Sequence, residues 1–500
     1  MGNKIYRVAA FFLMLAVVLG IAGCGGEMPE PEGPSSKVLE PEGAVVELAM
    51  EGSKVERATA ILEGQIDYFE GRELFSPDFK WAAFSGTQNG FGQGIWAFAL
   101  DGSDAELVEK IQGQDFESGN YRLWLLGWDA ENRLIYAVSG EELIFKKYDP
   151  KDRKSEEVGR LPLEGGYWTH MVFSRQRDAI FVDLVSEIWK VDVSEKAVSR
   201  LIGELPSYDG LFYPRLSPNG DYFAYEKYEP DVPGIYVLDT ETGEERLLAG
   251  DGEVLRFSPA WAPDGLHLMY YGAVKGEDGS FDLVQGENYP YPLGNFLEVA
   301  EVKTGKLKKI EVPGKKVGYA RWNSNGTAIA FSTISDIALS EQDVESVEWD
   351  SLCTADLSGN VREIAKNLKV PLISHMEDDN VFYIADRDFL DGGGPLYCLF
   401  AGRGKEVVKG DGIEKWLISE GLMYGAGFPE YRGKAVIAAY RQDGSFGVYF
   451  LEKGEAKEIF SATGNLWKYT VLGDYLVLSY TDAQNQWEKL DFIFLGTSTP

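Results

Sequence analysis

Four stretches of the chain, 226–234, 274–294, 332–350 and 386–395, hold sixteen carboxylates against three bases, Lys227, Lys275 and Arg387. The acids include Asp278, Asp282, Asp336, Glu341, Asp343, Glu345, Glu348, Asp350, Asp386, Asp388 and Asp391, with aromatic rings among them at Phe281, Tyr289, Tyr291 and Trp349. Carboxylates at this density attract cations, basic proteins or basic polymers, and exposed aromatic rings anchor interfaces. These stretches are therefore candidate binding loops, against the plainer reading that long loops in an acidic protein are simply solvated and acidic. The run Asp386-Arg387-Asp388-Phe389-Leu390-Asp391-Gly392 resembles the opening of a calcium loop. It misses the EF-hand spacing by one residue and lacks the closing Glu, so calcium is only a secondary expectation.

Other reactive side chains are sparse. His170, His267 and His375 sit in separate strand-like runs, where a packed or hydrogen-bonded histidine is expected before a zinc ligand. No Gly-x-Ser-x-Gly elbow occurs, so no hydrolase domain is expected. Asp239-Thr240-Glu241-Thr242-Gly243 reads as a hairpin turn, because the tryptophan that follows this spelling in quinoprotein repeats is missing. Neither a catalytic residue nor a cofactor is assigned. The 500 residues carry 48 Lys and Arg against 80 Asp and Glu, a formal charge of −32. Nucleic-acid binding draws on clustered Lys and Arg that release counterions, so DNA and RNA are excluded as partners.

The elements that must position the acidic loops are strands. Short runs of period two with β-branched or aromatic residues recur, among them Trp81 to Phe84, Arg133 to Val138, Gly234 to Leu238 and Lys434 to Tyr440, each bounded by turn residues. They repeat in one order: strand, turn, strand, loop, strand, then a hairpin into a charged last strand. Leu216-Ser217-Pro218-Asn219-Gly220-Asp221-Tyr222-Phe223-Ala224-Tyr225 aligns with Trp261-Ala262-Pro263-Asp264-Gly265-Leu266-His267-Leu268-Met269-Tyr270. Pro fixes φ at the first corner and Gly accepts positive φ after it. Further copies are Phe75 to Asp78 and Trp322 to Phe331, and the last hairpins recur about every 50 residues between Asp101 and Glu452. Repeats of that length and order predict an all-β fold, a β-propeller of four-stranded blades. At the turns the sequence resembles the TolB-like, or PD40, family of WD40-like propellers, which implies the same fold and protein contacts in a cell envelope.

Eight hairpin units are complete, and Leu466 to Leu495 forms a three-strand remnant to which Val45 to Leu48 could add a strand, closing the ring. Eight blades are expected, within a range of seven to nine; a pair of smaller all-β domains is the alternative. The acidic stretches then fall between the second and third strands of repeats four to seven, on one face. Cys353 and Cys398, at matching third-strand positions of neighbouring repeats, lie too far apart for the ~6 Å a bridge spans and are expected to be buried thiols.

The amino terminus reads as an export signal. Lys4 and Arg7 precede fourteen uncharged residues, Val8 to Ile21, about 21 Å of helix against a hydrocarbon core of ~30 Å. The segment ends in Ile21-Ala22-Gly23-Cys24, which resembles the lipobox of bacterial lipoproteins. The resemblance implies a signal peptide over 1–23, cleavage after Gly23 and lipidation of Cys24, hence a membrane anchor on the extracytoplasmic side of the cytoplasmic membrane, or on an outer membrane if the cell has one. Residues 24–44, rich in Pro, Gly and Glu, are expected to form a tether, and 45–500 the propeller. Function is expected to be binding of a protein or envelope polymer through the acidic face. The alternative is an enzyme acting on glycans or lactone-like substrates with acids at a central channel.

Overall fold

The computed structural model describes residues 35–496 apart from 52–53, 67–73, 89–91, 113–120, 164–169, 185–186, 204–213, 228–232, 277–292, 336–347, 370–371, 379–380, 386–395, 401–403, 411–412, 418–427 and 485–486. Among the described residues there is no α-helix; the chain is strands and turns. Seven antiparallel sheets have four strands each, paired in chain order. We number them as blades: blade 1 runs from Gly64–Ile66 to Ala105–Ile111, blade 2 from Arg122–Trp128 to Lys154–Pro162, blade 3 from His170–Ser174 to Ala197–Ile202, and blade 4 from Arg215–Leu216 to Glu245–Ala249. Blade 5 runs from Val254–Trp261 to Lys306–Ile310, blade 6 from Lys315–Trp322 to Val361–Lys369, and blade 7 from Leu372–Asp378 to Gly404–Val407.

The eighth sheet has ten strands, and its long strand Glu455–Leu472 explains why. The first half of that strand pairs with Ser445–Glu452 and completes blade 8, while the second half pairs with Tyr475–Asp482 and opens a ninth unit, followed by Glu488–Phe494. Eight hydrogen-bonded sheets therefore contain nine blade units. Packing counts them independently, because each of nine apolar cores lies between one unit and the next, from blades 1 and 2 round to blades 9 and 1. A ring of n blades has n interfaces only when it is closed. The fold is a closed β-propeller.

Closure comes from the amino-terminal strands, one strand further along than expected. Lys54–Leu62 pairs with Glu488–Phe494, whereas Val45 to Leu48 lie in Ala44–Glu51, the next strand out, and Ser35–Leu39 pairs beyond that. The folded sheet thus begins at Ser35 rather than 45, which shortens the expected tether to 24–34. At the seam Asp491 is wholly buried and accepts hydrogen bonds from Thr59 Oγ1 (2.5 Å), Arg57 Nη2 (2.5 Å) and Tyr480 Oη (3.1 Å). A buried carboxylate is tolerated only with such compensation, so this cluster ties the two termini together. Burial, with Asp491 alongside, pushes the Tyr480 phenol above its usual range.

The repeated turn does what its spelling implies. Ser76, Ser217, Ala262 and Asn323 each donate their amide to the carbonyl five residues on, at 2.8–2.9 Å, and Gly220, Gly265 and Gly326 take φ of 73°, 66° and 70°. These turns also touch neighbouring blades: the Asp78 amide donates to Asn132 Oδ1 at 3.1 Å. Second and third strands are mostly buried, Gly92–Ala99 completely so, and outer strands such as Lys306–Ile310 are exposed over four of their five residues.

Candidate functional site

In antiparallel blades of one strand order, every connection from second to third strand leaves the same face, together with every connection from one blade into the next. On that face blades 5 to 7 stand apart, and blade 4 beside them exceeds the remaining blades by one residue or more. In blades 4 to 7 the connections are 228–233, 275–295, 336–347 and 386–396; in blades 1, 2, 3, 8 and 9 they have at most five residues. With these bounds the four long connections carry thirteen acids and two bases.

Asp278, Asp282, Tyr289, Tyr291, Asp336, Glu341, Asp343, Glu345, Asp386, Asp388 and Asp391 lie outside the described residues, as does Cys24. Glu348, Trp349 and Asp350 are not loop residues: they begin the strand Glu348–Asp356, because the second and third strands of blade 6 extend further than their spelling suggested. Asp350 is half-buried and pairs with Lys315 Nζ at 3.7 Å, while Ser351 Oγ accepts from the same ammonium at 3.2 Å.

The feet of the long connections rest on the first strands of blades 5 and 6. In blade 5, Asn295 Oδ1 accepts from the Val274 amide (2.8 Å), and the Lys275 amide donates to the Glu253 carbonyl (3.1 Å). Gly294 then exchanges two backbone hydrogen bonds with Val317 on the first strand of blade 6, at 2.8 and 3.0 Å. Those strands carry basic side chains. Arg256 is buried, donating from Nε to Glu298 (2.9 Å) and from Nη2 to Asp251 (3.1 Å), while its Nη1 has no partner. Burial alone would raise the Asp251 carboxyl; pairing with Arg256 and two backbone amides holds it below the usual range. Lys316, beside Lys315, is also buried.

Summed round the ring, the first strands hold eight bases, Arg122, Arg215, Arg256, Lys315, Lys316, Arg321, Lys415 and Lys468, against three acids, Glu377, Asp378 and Glu414. In a chain of charge −32 this is a local reversal of sign. Sequence reading missed it because each short strand contributes at most three charges and two of them none. Aligning the first strands of the repeats and adding their charges is the signal that could have found it.

Two of these strands also store backbone strain. Ser258 and Tyr319 occupy the same bulge in blades 5 and 6 with φ of 53° and 49°, a conformation costing a non-glycine residue about 1–2 kcal/mol. The preceding blade compensates each bulge. Glu226 accepts from the Ser258 amide (2.6 Å) and Tyr271 Oη from the Ala320 amide (2.7 Å).

His267 lies on a second strand, its Nδ1 2.7 Å from Asp264 of its own turn; His170 and His375 are on first strands of blades 3 and 7, with side chains outside the described residues. Among the described residues no group of three His, Cys, Asp or Glu is arranged to hold a metal ion, and the calcium-like run 386–392 lies outside them. Cys353 and Cys398 form no disulfide and are buried thiols in different cores, one between blades 5 and 6 and the other between blades 7 and 8. Burial pushes the Cys353 thiol up to about 11.

No family model matches the chain. Among solved structures it is similar to a putative TolB from Agrobacterium tumefaciens (16% identity, 55% of this chain and 88% of that one, TM-score 0.26). It is also similar to the β-propeller domain of the Trilobed protease from Pyrococcus furiosus (14%, 71% and 89%, TM-score 0.33). A third likeness is to an oligogalacturonate lyase in complex with manganese (15%, 74% and 97%, TM-score 0.36). These proteins match in general architecture; the blade assignment itself rests on strand pairing, turns and cores. The chain is a β-propeller in fold.

Proposed function

We propose that the chain is a lipid-anchored extracytoplasmic binding module whose ligand, a basic protein or envelope polymer, docks on the acidic connections of blades 4 to 7. The observation that carries this reading is their confinement: the four long connections belong to consecutive blades, leave one face, and carry thirteen acids against two bases. Insertions on a rigid ring are cheap in stability and free to specialise, so their clustering in one sector points to recognition. The anchor follows from the lipobox-like Ile21 to Cys24, since a diacyl group suffices for stable attachment.

The basic first strands support a second component, an anionic group of the ligand reaching the centre of the ring over blades 5 and 6. They favour anion recognition there over an acid-catalysed glycan or lactone reaction. The test is capture from the native envelope by the wild-type chain and by a variant with Asp336, Glu341, Asp343 and Glu345 changed to Asn or Gln, in rising salt. The reading expects a captured partner that salt releases and the variant loses at unchanged folding. Capture indifferent to both salt and substitution refutes it.

A further inference from the structure

Blade 9 carries a second surface, of opposite character. Among the described residues two tryptophans are exposed, Trp467 at 62% and Trp487 at 40%, and both belong to this blade. They occupy one corner: Trp467 Nε1 donates to Thr481 Oγ1 (2.6 Å), and the carbonyl of Trp487 accepts from the next residue's amide, Asp482 (3.0 Å). Ile459 to Trp467 contain no charged residue, nor do Ala483 to Trp487, in a chain of charge −32. Val38, 58% exposed, lies on the outermost strand of the same sheet.

The anchor arrives on that outermost strand at the end away from the corner: Ser35 lies level with Met50 and Val55, whereas Trp487 precedes Glu488, which lies level with Leu62. Only residues 25–34 separate Cys24 from Ser35, and ten residues reach at most about 35 Å. We infer that the Trp467 and Trp487 corner of blade 9 docks into the headgroup boundary of the bilayer, an inference that rests on the reading of Cys24 as the lipid anchor. Indole rings favour that boundary, where the ring is half apolar and its N–H still finds a polar partner. The two uncharged runs leave only Glu488 and Asp482, the latter paired with Lys489 at 2.7 Å, as carboxylates next to this corner in sequence, which limits the repulsion that anionic lipids exert on carboxylates. In a nine-unit ring, blade 9 stands opposite blades 4 and 5, so the docking corner and the acidic connections lie at opposite ends of the one face they share.

The experiment uses the full chain, processed in a bacterial host and reconstituted into phosphatidylcholine and phosphatidylglycerol vesicles containing a headgroup-nitroxide lipid. A fluorophore is placed on Ala483→Cys beside Trp487, or on Leu247→Cys at the exposed outer strand of blade 4; buried Cys353 and Cys398 stay unlabelled. The inference expects quenching at 483 at least threefold that at 247, falling to less than half in the Trp467→Ser, Trp487→Ser variant with an unchanged melting temperature. Equal quenching at the two sites, or quenching at 483 that ignores the double variant, overturns it. Fractionation of Cys24→Ala reads the anchor separately: if it pellets as wild type does, the anchor reading falls, and the same label pair in the mature chain coupled through Cys24 to a maleimide lipid decides the docking.

Discussion

Blades 4 to 7 and blade 9 are built on one plan and spend their variation in opposite ways. The first group lengthens its second-to-third-strand connections and loads them with carboxylates, over first strands that are basic in blades 4 to 6 and acidic in blade 7. Blade 9 keeps that connection to five uncharged or aromatic residues and recruits up to three strands from the other end of the chain. A propeller blade is held by its cores, which are alike in both places, so its rim and faces are free to differ. By the proposed function one sector recognises; the other closes the ring and, by the inference above, rests on the membrane.

The largest expected break in this comparison is at the seam. Asp491→Ala leaves the Thr59 and Tyr480 hydroxyls facing a buried gap beside the partly exposed Arg57, and leaving such partners unsatisfied costs about 1–3 kcal/mol. The urea midpoint should fall accordingly; a shift of under about 1 kcal/mol would mean that the termini are not joined there. Asp350→Ala in the acidic sector removes a half-exposed pair with Lys315 and should cost less than about 1 kcal/mol, while weakening capture.

Between these lies the repeated turn. Gly265 has φ of 66°, and a Cβ there would come within 2.8 Å of the Asn219 side chain in the neighbouring blade. Gly265→Ala should therefore cost about 1–2 kcal/mol by thermal denaturation. Gly252, with φ of 77° and open space around a Cβ, should pay only for its backbone and lose less.

Smaller effects sharpen the electrostatics of blade 5. With its pKa depressed in the fold, Asp251 contributes stability that is fully present above its unfolded value near 4 and is lost as pH falls through the folded value. Asp251→Asn should lower stability at pH 7 and flatten the acid limb of the pH profile below about 4; an unchanged limb would mean that Arg256 does not hold it. Cys353 and Cys398 should resist thiol reagents at pH 8 until the chain unfolds, since both are buried and the Cys353 thiolate forms only near pH 11. Rapid labelling of either in the folded chain would contradict the packing of the two cores.

Much of the fold was legible because turn chemistry is local. The Pro and Gly turns after Ser217 and Ala262 announced a strand on each side, and the hairpin spacing announced blades. Closure was not legible, because Ala44–Glu51 and Lys54–Leu62 both alternate, and register is set by partners more than 400 residues away. Glu56 and Arg57 also make the closing strand look like a surface segment, and only its neighbour shows that Arg57 meets a buried acid. The acidic sector was readable from composition. Its basic floor was not, since Arg256, Lys315 and Lys316 acquire meaning only once first strands converge. Trp467 and Trp487 look like core residues in sequence, and exposure alone sets them apart.

The central claim is that two sectors of one ring divide recognition from attachment, and reciprocal variants test it most directly. Partner capture and vesicle quenching are measured together for wild type, for the variant with four acids neutralised between Asp336 and Glu345, and for the Trp467→Ser, Trp487→Ser variant. The account predicts that the acid variant loses capture and keeps quenching at 483, while the tryptophan variant does the reverse. Both variants losing the same property, or neither losing either, would contradict it.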